Sequence, residues 1–224
     1  MKKILLAGAV ALFGLSNAQI AKGTAYLSGQ VTYAQEEDNN FDTKVENFRI
    51  VPTAGYFVGT NLAVGLGVGY KSDKGTKTST QTFGNTTVVT EVTETKPAFV
   101  VAPFVRKYWT LADKLYIFGQ LEVPMEFGNV KNETSSVATT TTGSGTTTAT
   151  QSSSNKANYT TIGVNVKPGL DYFLNKNWTI EATIGEFGYR TSKFDVDGAK
   201  SVNNYNFGLN LSSVTIGVKY VFAK

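Results

Sequence analysis

The chain has 224 residues with 21 basic and 17 acidic side chains, no Cys and no His, and 41% of its residues are hydrophobic. One domain is the expectation for this length. The lack of Cys and His excludes disulfides, Ser–His and Cys–His nucleophilic sites and His-ligated metals. We therefore expect no enzyme activity, no catalytic residue, no metal and no cofactor. Because no basic cluster accompanies the net charge of +4, we also expect no nucleic-acid partner.

The first eighteen residues differ from the rest of the chain. They combine the basic start MKK, an uncharged apolar stretch over residues 4–15, and the small residues SNA at 16–18. This pattern predicts a cleaved secretory signal over 1–18 and a mature domain over 19–224. An N-terminal membrane anchor is the alternative.

In the mature chain, apolar residues recur at every second position, which is the period of a β-strand. Eight such runs predict eight strands, and the phase of the last run shifts near Ser212 and Ser213, which predicts a bulge there. The runs cover residues 25–33, 48–58, 62–70, 99–109, 115–127, 162–174, 178–184 and 214–222. We predict an all-β fold, an eight-stranded antiparallel up-and-down transmembrane β-barrel.

The connections between these strands alternate between short turns and long polar segments, as in outer-membrane barrels with periplasmic turns and extracellular loops. The longest, which includes residues 134–154, is almost entirely Thr, Ser, Gly and Ala, and we expect it to be a mobile loop. Residues 77–95 are rich in Thr and Val, so we expect strands three and four to continue there as a hairpin. If such loop hairpins add strands, a total of ten strands is the alternative to eight.

One face of the predicted strands is more consistently apolar and lacks charge in the middle of every strand, and the other face carries charges. An Arg or Lys side chain that faced lipid near the midplane would cost ~2–4 kcal/mol. Charges in a narrow lumen, in contrast, are tolerated when they pair. We therefore predict a polar network that fills the lumen. Its members are Arg49, Lys71, Arg106, Glu122, Glu126, Lys167, Asp171, Glu181 and Lys219.

Strand register predicts how these charges pair. Asp171 should lie opposite Glu181, and Arg49 opposite Lys71. Since like charges directly opposite are unfavourable, we expect Lys219 and Arg106 to neutralise the acidic pair, and Glu126 or Glu122 the basic pair. An acid/base catalytic role for Asp171 and Glu181 is the weaker alternative to this structural role.

Aromatic residues cluster at both ends of the strands, which is typical of interfacial girdles in membrane barrels. The alternative is the general preference of aromatic residues for strands. The predicted girdle residues are Tyr33 and Tyr70 at the loop end, and Trp109, Tyr172 and Trp178 at the short-turn end.

The segments IVPTAGYFVGTNLAVGLGVGY at 50–70 and PFVRKY at 103–108 resemble hairpin motifs of small Bacteroidetes outer-membrane β-barrel proteins, in the class of OmpX and the OmpA membrane domain. The end of the chain resembles the terminal assembly signal of such barrels, with Thr215, Gly217, Tyr220 and Phe222 at its key positions. The resemblance implies a Gram-negative outer-membrane protein, monomeric and surrounded by outer-membrane lipid and lipopolysaccharide. Its assembly partners would be the barrel assembly machinery and periplasmic chaperones.

Three functions fit these patterns. The first is a non-enzymatic structural or surface-interaction barrel that displays Thr/Ser-rich loops. The second is a narrow porin-like channel for small solutes. The third is a soluble lipocalin-type barrel, which would require an apolar lumen and a polar exterior.

Overall fold

The computed structural model describes residues 20–208 and 214–222, and its regular structure is antiparallel β-sheet throughout. The predicted signal over 1–18 and the predicted bulge at Ser212 and Ser213 lie outside the described residues. Twelve strand segments are present. In chain order β1 to β12 are Ala25–Asp38, Thr43–Ile50, Thr53–Gly59, Leu62–Phe83, Thr86–Ala112, Leu115–Glu122, Met125–Thr142, Gly145–Phe173, Trp178–Ile184, Glu186–Phe194, Val202–Gly208 and Val214–Val221.

The twelve segments form eight barrel strands, because β2 with β3, β6 with β7, β9 with β10, and β11 with β12 follow each other along the same neighbouring strands. Each strand pairs with the next, and β1 pairs with β12, as in Leu27 opposite Tyr220, which closes the ring. The predicted eight-stranded antiparallel fold is confirmed. Among the described residues, no helix has the length and hydropathy needed to cross a membrane.

The interruptions within barrel strands have local causes. Pro52 separates β2 from β3 and Pro124 separates β6 from β7, because proline has no N–H to donate to a ladder. Gly185, with a φ of 73°, separates β9 from β10. The carbonyls of both prolines still accept hydrogen bonds, from Val68 N at 3.0 Å and Gly163 N at 2.9 Å, so the barrel wall stays connected. The prediction of uninterrupted strands through these two prolines is therefore wrong.

At the end opposite the short turns, four strands continue well beyond the ring. The β4–β5 hairpin turns at residues 84–85, which confirms the predicted continuation over residues 77–95. The prediction of a loop over 134–154 is wrong, because these residues belong to β7 and β8, which turn at residues 143–144. Thr is β-branched and favours extended backbone, so a segment without a core can still pair as a hairpin.

These extensions are here called the protruding sheet, and its lowest part also pairs with β2, at residues 72–77 of β4. It consists of residues 72–83 of β4, 86–97 of β5, 129–142 of β7 and 145–158 of β8. Hydroxyl pairs join its strands, including Thr86 with Thr140 at 2.8 Å. The ladder between β8 and β10 ends at Tyr159, so residues 145–157 have a strand partner on one side only among the described residues.

Candidate functional site in the barrel lumen

Side-chain alternation separates a charged interior from an apolar exterior. On β12, Lys219 is fully buried while its neighbour Val218 is 51% exposed on the outer face. On β1, Ser28 points inward and Leu27 is 53% exposed. The barrel thus presents apolar side chains to its surroundings and polar side chains to its lumen, the arrangement expected in a bilayer.

The predicted acidic pair lies in the lower lumen, the half near the short turns. Asp171 and Glu181 face each other across β8 and β9. Lys219 forms an ion pair with Asp171 and lies 3.8 Å from Glu181 Oε2. Arg106 Nη1 lies 2.6 Å from the same Glu181 oxygen. Each buried carboxylate therefore has a buried cation beside it, which is the condition for keeping charges out of water.

Arg106 is held by more than its charge. Its Nε donates to Gln120 Oε1 at 2.7 Å, and its Nη1 donates to Tyr108 OH at 3.2 Å. Its guanidinium also lies 4.2 Å from the centroid of the Phe118 ring. A planar guanidinium can make these contacts together, whereas an ammonium group cannot.

Below this network, aromatic side chains fill the barrel, and we call them the aromatic plug. Neighbouring rings lie 5.5 Å apart between Phe57 and Tyr108 and 5.8 Å apart between Tyr108 and Phe118. A Cβ at Gly169 would collide with the Phe118 ring, so this strand glycine makes room for the plug. The plug consists of Tyr26, Phe57, Tyr108, Tyr116 and Phe118, all buried.

Sequence reasoning did not identify the aromatic plug. Its only signal was the position of these rings on the charge-bearing face of the strands. That position could have distinguished them from the girdle aromatics on the opposite face.

The remaining predicted charges lie higher in the lumen. Arg49 is opposite Lys71, and Lys71 Nζ lies 2.5 Å from Glu126 Oε2. Lys167 Nζ lies 2.5 Å from Glu122 Oε1. The structure thus places Glu126 against one member of the basic pair.

Two further members of this upper network were missed. Glu186 and Arg190 form an ion pair at 2.6 Å, and Glu186 also lies 3.6 Å from Lys167. Both residues belong to β10, and the predicted strand ended at Ile184, before Gly185. The sequence signal for these two residues was weak because Gly185 shifts the alternation of inward and outward side chains along the strand.

The upper lumen contains a polar cavity of about 520 Å³, lined by Arg49, Glu122 and Lys167 among others. Glu186 and Asn206 line both this cavity and a second space of about 630 Å³, which lies nearer the protruding sheet. The prediction of a lumen filled along its whole length is therefore wrong for the upper half. Downward, Arg106 and Glu181 form the cavity floor above the aromatic plug. Within the described residues, no cluster of acidic side chains is suited to hold a metal ion.

The predicted girdle residues all lie on the outer face. Tyr33 is 61% exposed, and the exposed fractions of Tyr70, Trp109, Tyr172 and Trp178 lie between 43% and 46%. Trp178 also packs edge-on against Tyr220, with centroids 5.0 Å apart.

The predicted assembly-signal residues lie at the end of the barrel wall. Thr215, Gly217 and Tyr220 belong to β12, and Phe222 follows it. Thr215 Oγ1 donates to Gln30 Oε1 at 3.2 Å inside the lumen, while Phe222 is 48% exposed.

Several solved outer-membrane barrels are similar to this chain. The N-terminal barrel of Pseudomonas aeruginosa OprF is 8% identical, with a TM-score of 0.39, and the match covers 91% of this chain and 100% of that one. Neisserial surface protein A is 13% identical, with a TM-score of 0.36 and coverages of 91% and 99%. Ail of Yersinia pestis, crystallised with the heparin analogue sucrose octasulfate, is 14% identical, with a TM-score of 0.32 and coverages of 90% and 99%.

No curated protein matches the chain in sequence. A family match, in contrast, spans nearly all of it, over residues 5–222. The family is described as "Outer membrane protein beta-barrel domain", and its members are non-enzymatic barrels of the Gram-negative outer membrane. The chain belongs to this family of outer-membrane β-barrel proteins.

Proposed function

We propose that this protein is a surface-interaction barrel, which anchors the protruding sheet in the outer membrane and offers that sheet to extended segments of other proteins. The observation that carries the proposal is the open edge of β8 over residues 145–157. The Bacteroidetes resemblance stays a prediction.

The open edge lacks the usual protection against strand pairing. Natural edge strands carry charges, prolines or bulges that prevent pairing with another chain. Residues 145–155 of β8 contain none of these charges or prolines, and their pairing with β7 is regular from Thr142 opposite Gly145 downward. An extended peptide can therefore add to the sheet as a further strand through main-chain hydrogen bonds.

Lysine substitutions at the open edge of β8 test this proposal. The variant A149K/Q151K places two lysines on the open edge, and A138K/S136K places them at the cross-strand partners of the same residues on β7, inside the sheet. Each protein is reconstituted in nanodiscs and titrated with fluorescent dodecapeptides of alternating Thr and Val. We expect the edge variant to lose peptide binding and the β7 variant to retain it. Equal binding by the wild type and the edge variant would contradict the proposal.

The channel alternative is less well supported, because buried ion pairs and the aromatic plug occupy the lower lumen. We expect no measurable single-channel conductance in planar bilayers. Steady conductance by the folded protein would instead favour the porin-like function. The lipocalin alternative is wrong, since the family is an outer-membrane one and the interior, not the exterior, carries the charges.

A further inference from the structure

The upper lumen is a polar space with a closed floor. Its cavity of about 520 Å³ ends below at Arg106 and Glu181, above the aromatic plug. At its other end, Glu186 and Asn206 border the adjoining space of about 630 Å³. Small-molecule sites usually have volumes of about 300–1,000 Å³. The cavity is therefore large enough for a small solute that enters from the end of the barrel with the protruding sheet.

The three carboxylates in the wall of this cavity each have a cation of their own. In every pair, a nitrogen of the cation lies between 2.5 Å and 2.6 Å from a carboxylate oxygen. The pairs are Arg106 with Glu181, Lys167 with Glu122, and Arg190 with Glu186. The second oxygen of Glu122 also has a partner, because it accepts a hydrogen bond from Gln120 Nε2 at 2.8 Å. The charges of these three pairs cancel.

Arg49 lines the same cavity and has no such partner. Its half-buried side chain forms no ion pair or hydrogen bond with another residue that the structure describes, and the rest of the chain contains no Asp or Glu. Its neighbour directly across the strand pair, Lys71, is a second cation, and like charges in this position are unfavourable. The guanidinium of Arg49 therefore offers a surplus positive charge and five N–H donors to the cavity.

The carboxylates at the mouth of the lumen are next to cations other than Arg49. Glu126 Oε2 lies 2.5 Å from Lys71 Nζ, and Asp73 Oδ2 lies 3.9 Å from the same nitrogen. In the ladder, Asp73 is also directly opposite Lys96. The surplus charge of Arg49 is thus not balanced from the mouth of the lumen, and it calls for an anion from outside the chain.

The wall around Arg49 can bind hydroxyl groups as well. Thr32 lies directly opposite Arg49, and Asn206 lines the cavity where it meets the adjoining space. The side chains of Thr32 and Asn206 make no hydrogen bond to another residue in the described part of the chain. Both can donate and accept hydrogen bonds. Val51 and Phe104 add apolar surface on which a carbon skeleton can pack.

We infer that Arg49 binds the carboxylate of a small polyhydroxylated acid, of the sugar-acid class, in the upper lumen. The planar guanidinium can bind a carboxylate through two parallel hydrogen bonds. A single surplus positive charge matches a monoanion, whereas a phosphate monoester carries about −1.5 to −2. The inference concerns the lumen and the proposed function concerns the edge of β8, so the two can fail separately.

The test measures binding of gluconate, a polyhydroxylated carboxylate, by isothermal titration calorimetry in low-salt buffer. The full chain is reconstituted in phosphatidylcholine nanodiscs. The substitution R49Q removes the surplus charge. The matched control K44Q makes the same charge change on the same strand, at a residue that lies five positions away and therefore points to the other face. Heat-modifiable migration on gels verifies that each variant is folded.

We expect R49Q to bind gluconate roughly ten- to a hundredfold more weakly, since hydrogen bonds to charged groups contribute ~1.5–3 kcal/mol and 1.4 kcal/mol is tenfold. K44Q should bind within about twofold of the wild type, because its exposed charge is screened by solvent. Glucitol, which has the hydroxyl groups without the carboxylate, should bind the wild type as weakly as gluconate binds R49Q. Acetate and inorganic phosphate should both bind the wild type more weakly than gluconate.

Stability separates a ligand-binding role of Arg49 from a structural one. Because R49Q removes an unpaired charge opposite Lys71, its urea midpoint without ligand should equal or exceed that of the wild type. Gluconate should raise the midpoint of the wild type and not that of R49Q, since a ligand that binds only the folded state stabilises it.

The edge variant A149K/Q151K should bind gluconate like the wild type, because its substitutions lie outside the lumen. Equal gluconate binding by R49Q and the wild type would overturn the inference. Equal binding of gluconate and glucitol, or of gluconate and phosphate, by the wild type would overturn it too. A destabilised R49Q barrel, together with a wild-type midpoint that gluconate does not shift, would assign Arg49 to the barrel wall instead.

Discussion

The lower barrel and the protruding sheet are built from the same ladders and stabilised by different means. The β4–β5 pairing runs without a register shift from Leu62 opposite Lys107 to Phe83 opposite Thr86. In the lower barrel its side chains separate into a lipid face and a lumen of buried rings and ion pairs. In the protruding sheet Thr and Ser are the commonest side chains, and most residues are half-buried or exposed.

The difference shows where register is specified. A slip by one residue in the lower barrel would turn Arg106 and Lys219 toward lipid, so buried charges fix the pairing there. Above the membrane a slip exchanges one hydroxyl for another, as in the Thr139–Thr142 run of β7. The protruding sheet therefore takes its register from the barrel below it. Perturbations should accordingly be costly in the lower barrel and nearly neutral in the sheet.

The largest expected effect is at Lys219. The substitution K219M leaves Asp171 without its buried cation and Glu181 with Arg106 alone. Removing one partner of a buried ion pair costs about 3–5 kcal/mol, so we expect a loss of that size in the free energy of unfolding. The measurement is urea unfolding in detergent, followed by the shift between folded and unfolded bands on unheated gels.

Two variants control this experiment. K176M removes an exposed lysine at the short-turn end and should leave the midpoint unchanged. The double variant D171N/K219M removes the orphaned charge and should recover part of the loss. If K219M unfolds at the wild-type urea concentration, the lower network does not stabilise the barrel and the contrast with the sheet fails.

A smaller effect is expected at Arg106. R106K keeps the positive charge beside Glu181 but loses the hydrogen bond to Gln120 and the stacking on Phe118. Hydrogen bonds to charged groups contribute about 1.5–3 kcal/mol, so we expect unfolding to be easier by about 2 kcal/mol. The neighbouring substitution K107Q, at an exposed side chain, is the matched control. An R106K barrel as stable as wild type would show that charge alone holds Arg106.

The sequence predicted the eight-strand ring because alternation was strong wherever one face contacts lipid, as in Leu62 to Tyr70. It failed where no face is buried. Residues 134–154 have no apolar period, so composition suggested a loop, yet β-branched Thr and pairing with the neighbouring strand extend β7 and β8 through them. Composition predicts the absence of a core, which is a different property from the absence of a strand.

The arrangement of the lumen could be predicted to a similar extent. Opposition of Asp171 and Glu181 follows from the short turn between β8 and β9, since turn length fixes register. The aromatic plug and the Glu186–Arg190 pair were not predicted. Whether an inward ring packs on other rings depends on which strands meet across the barrel, and closure brings Tyr26 and Phe57 together with Tyr108. That information is absent from any single strand.

The smallest expected effect comes from shortening the protruding sheet. Val130 lies opposite Ala157, so residues 131–156 can be replaced by Asn-Gly, which forms a two-residue hairpin turn between paired strands. Because the removed residues bury little apolar surface, we expect the free energy of unfolding to change by less than about 0.5 kcal/mol, the usual range for surface changes. A second deletion, with residues 79–90 of the β4–β5 hairpin replaced by Asn-Gly, should behave in the same way. If either deletion lowered the free energy of unfolding as much as K219M does, the protruding sheet would be an integral part of the barrel's stability, and its register would not simply follow from the ring below.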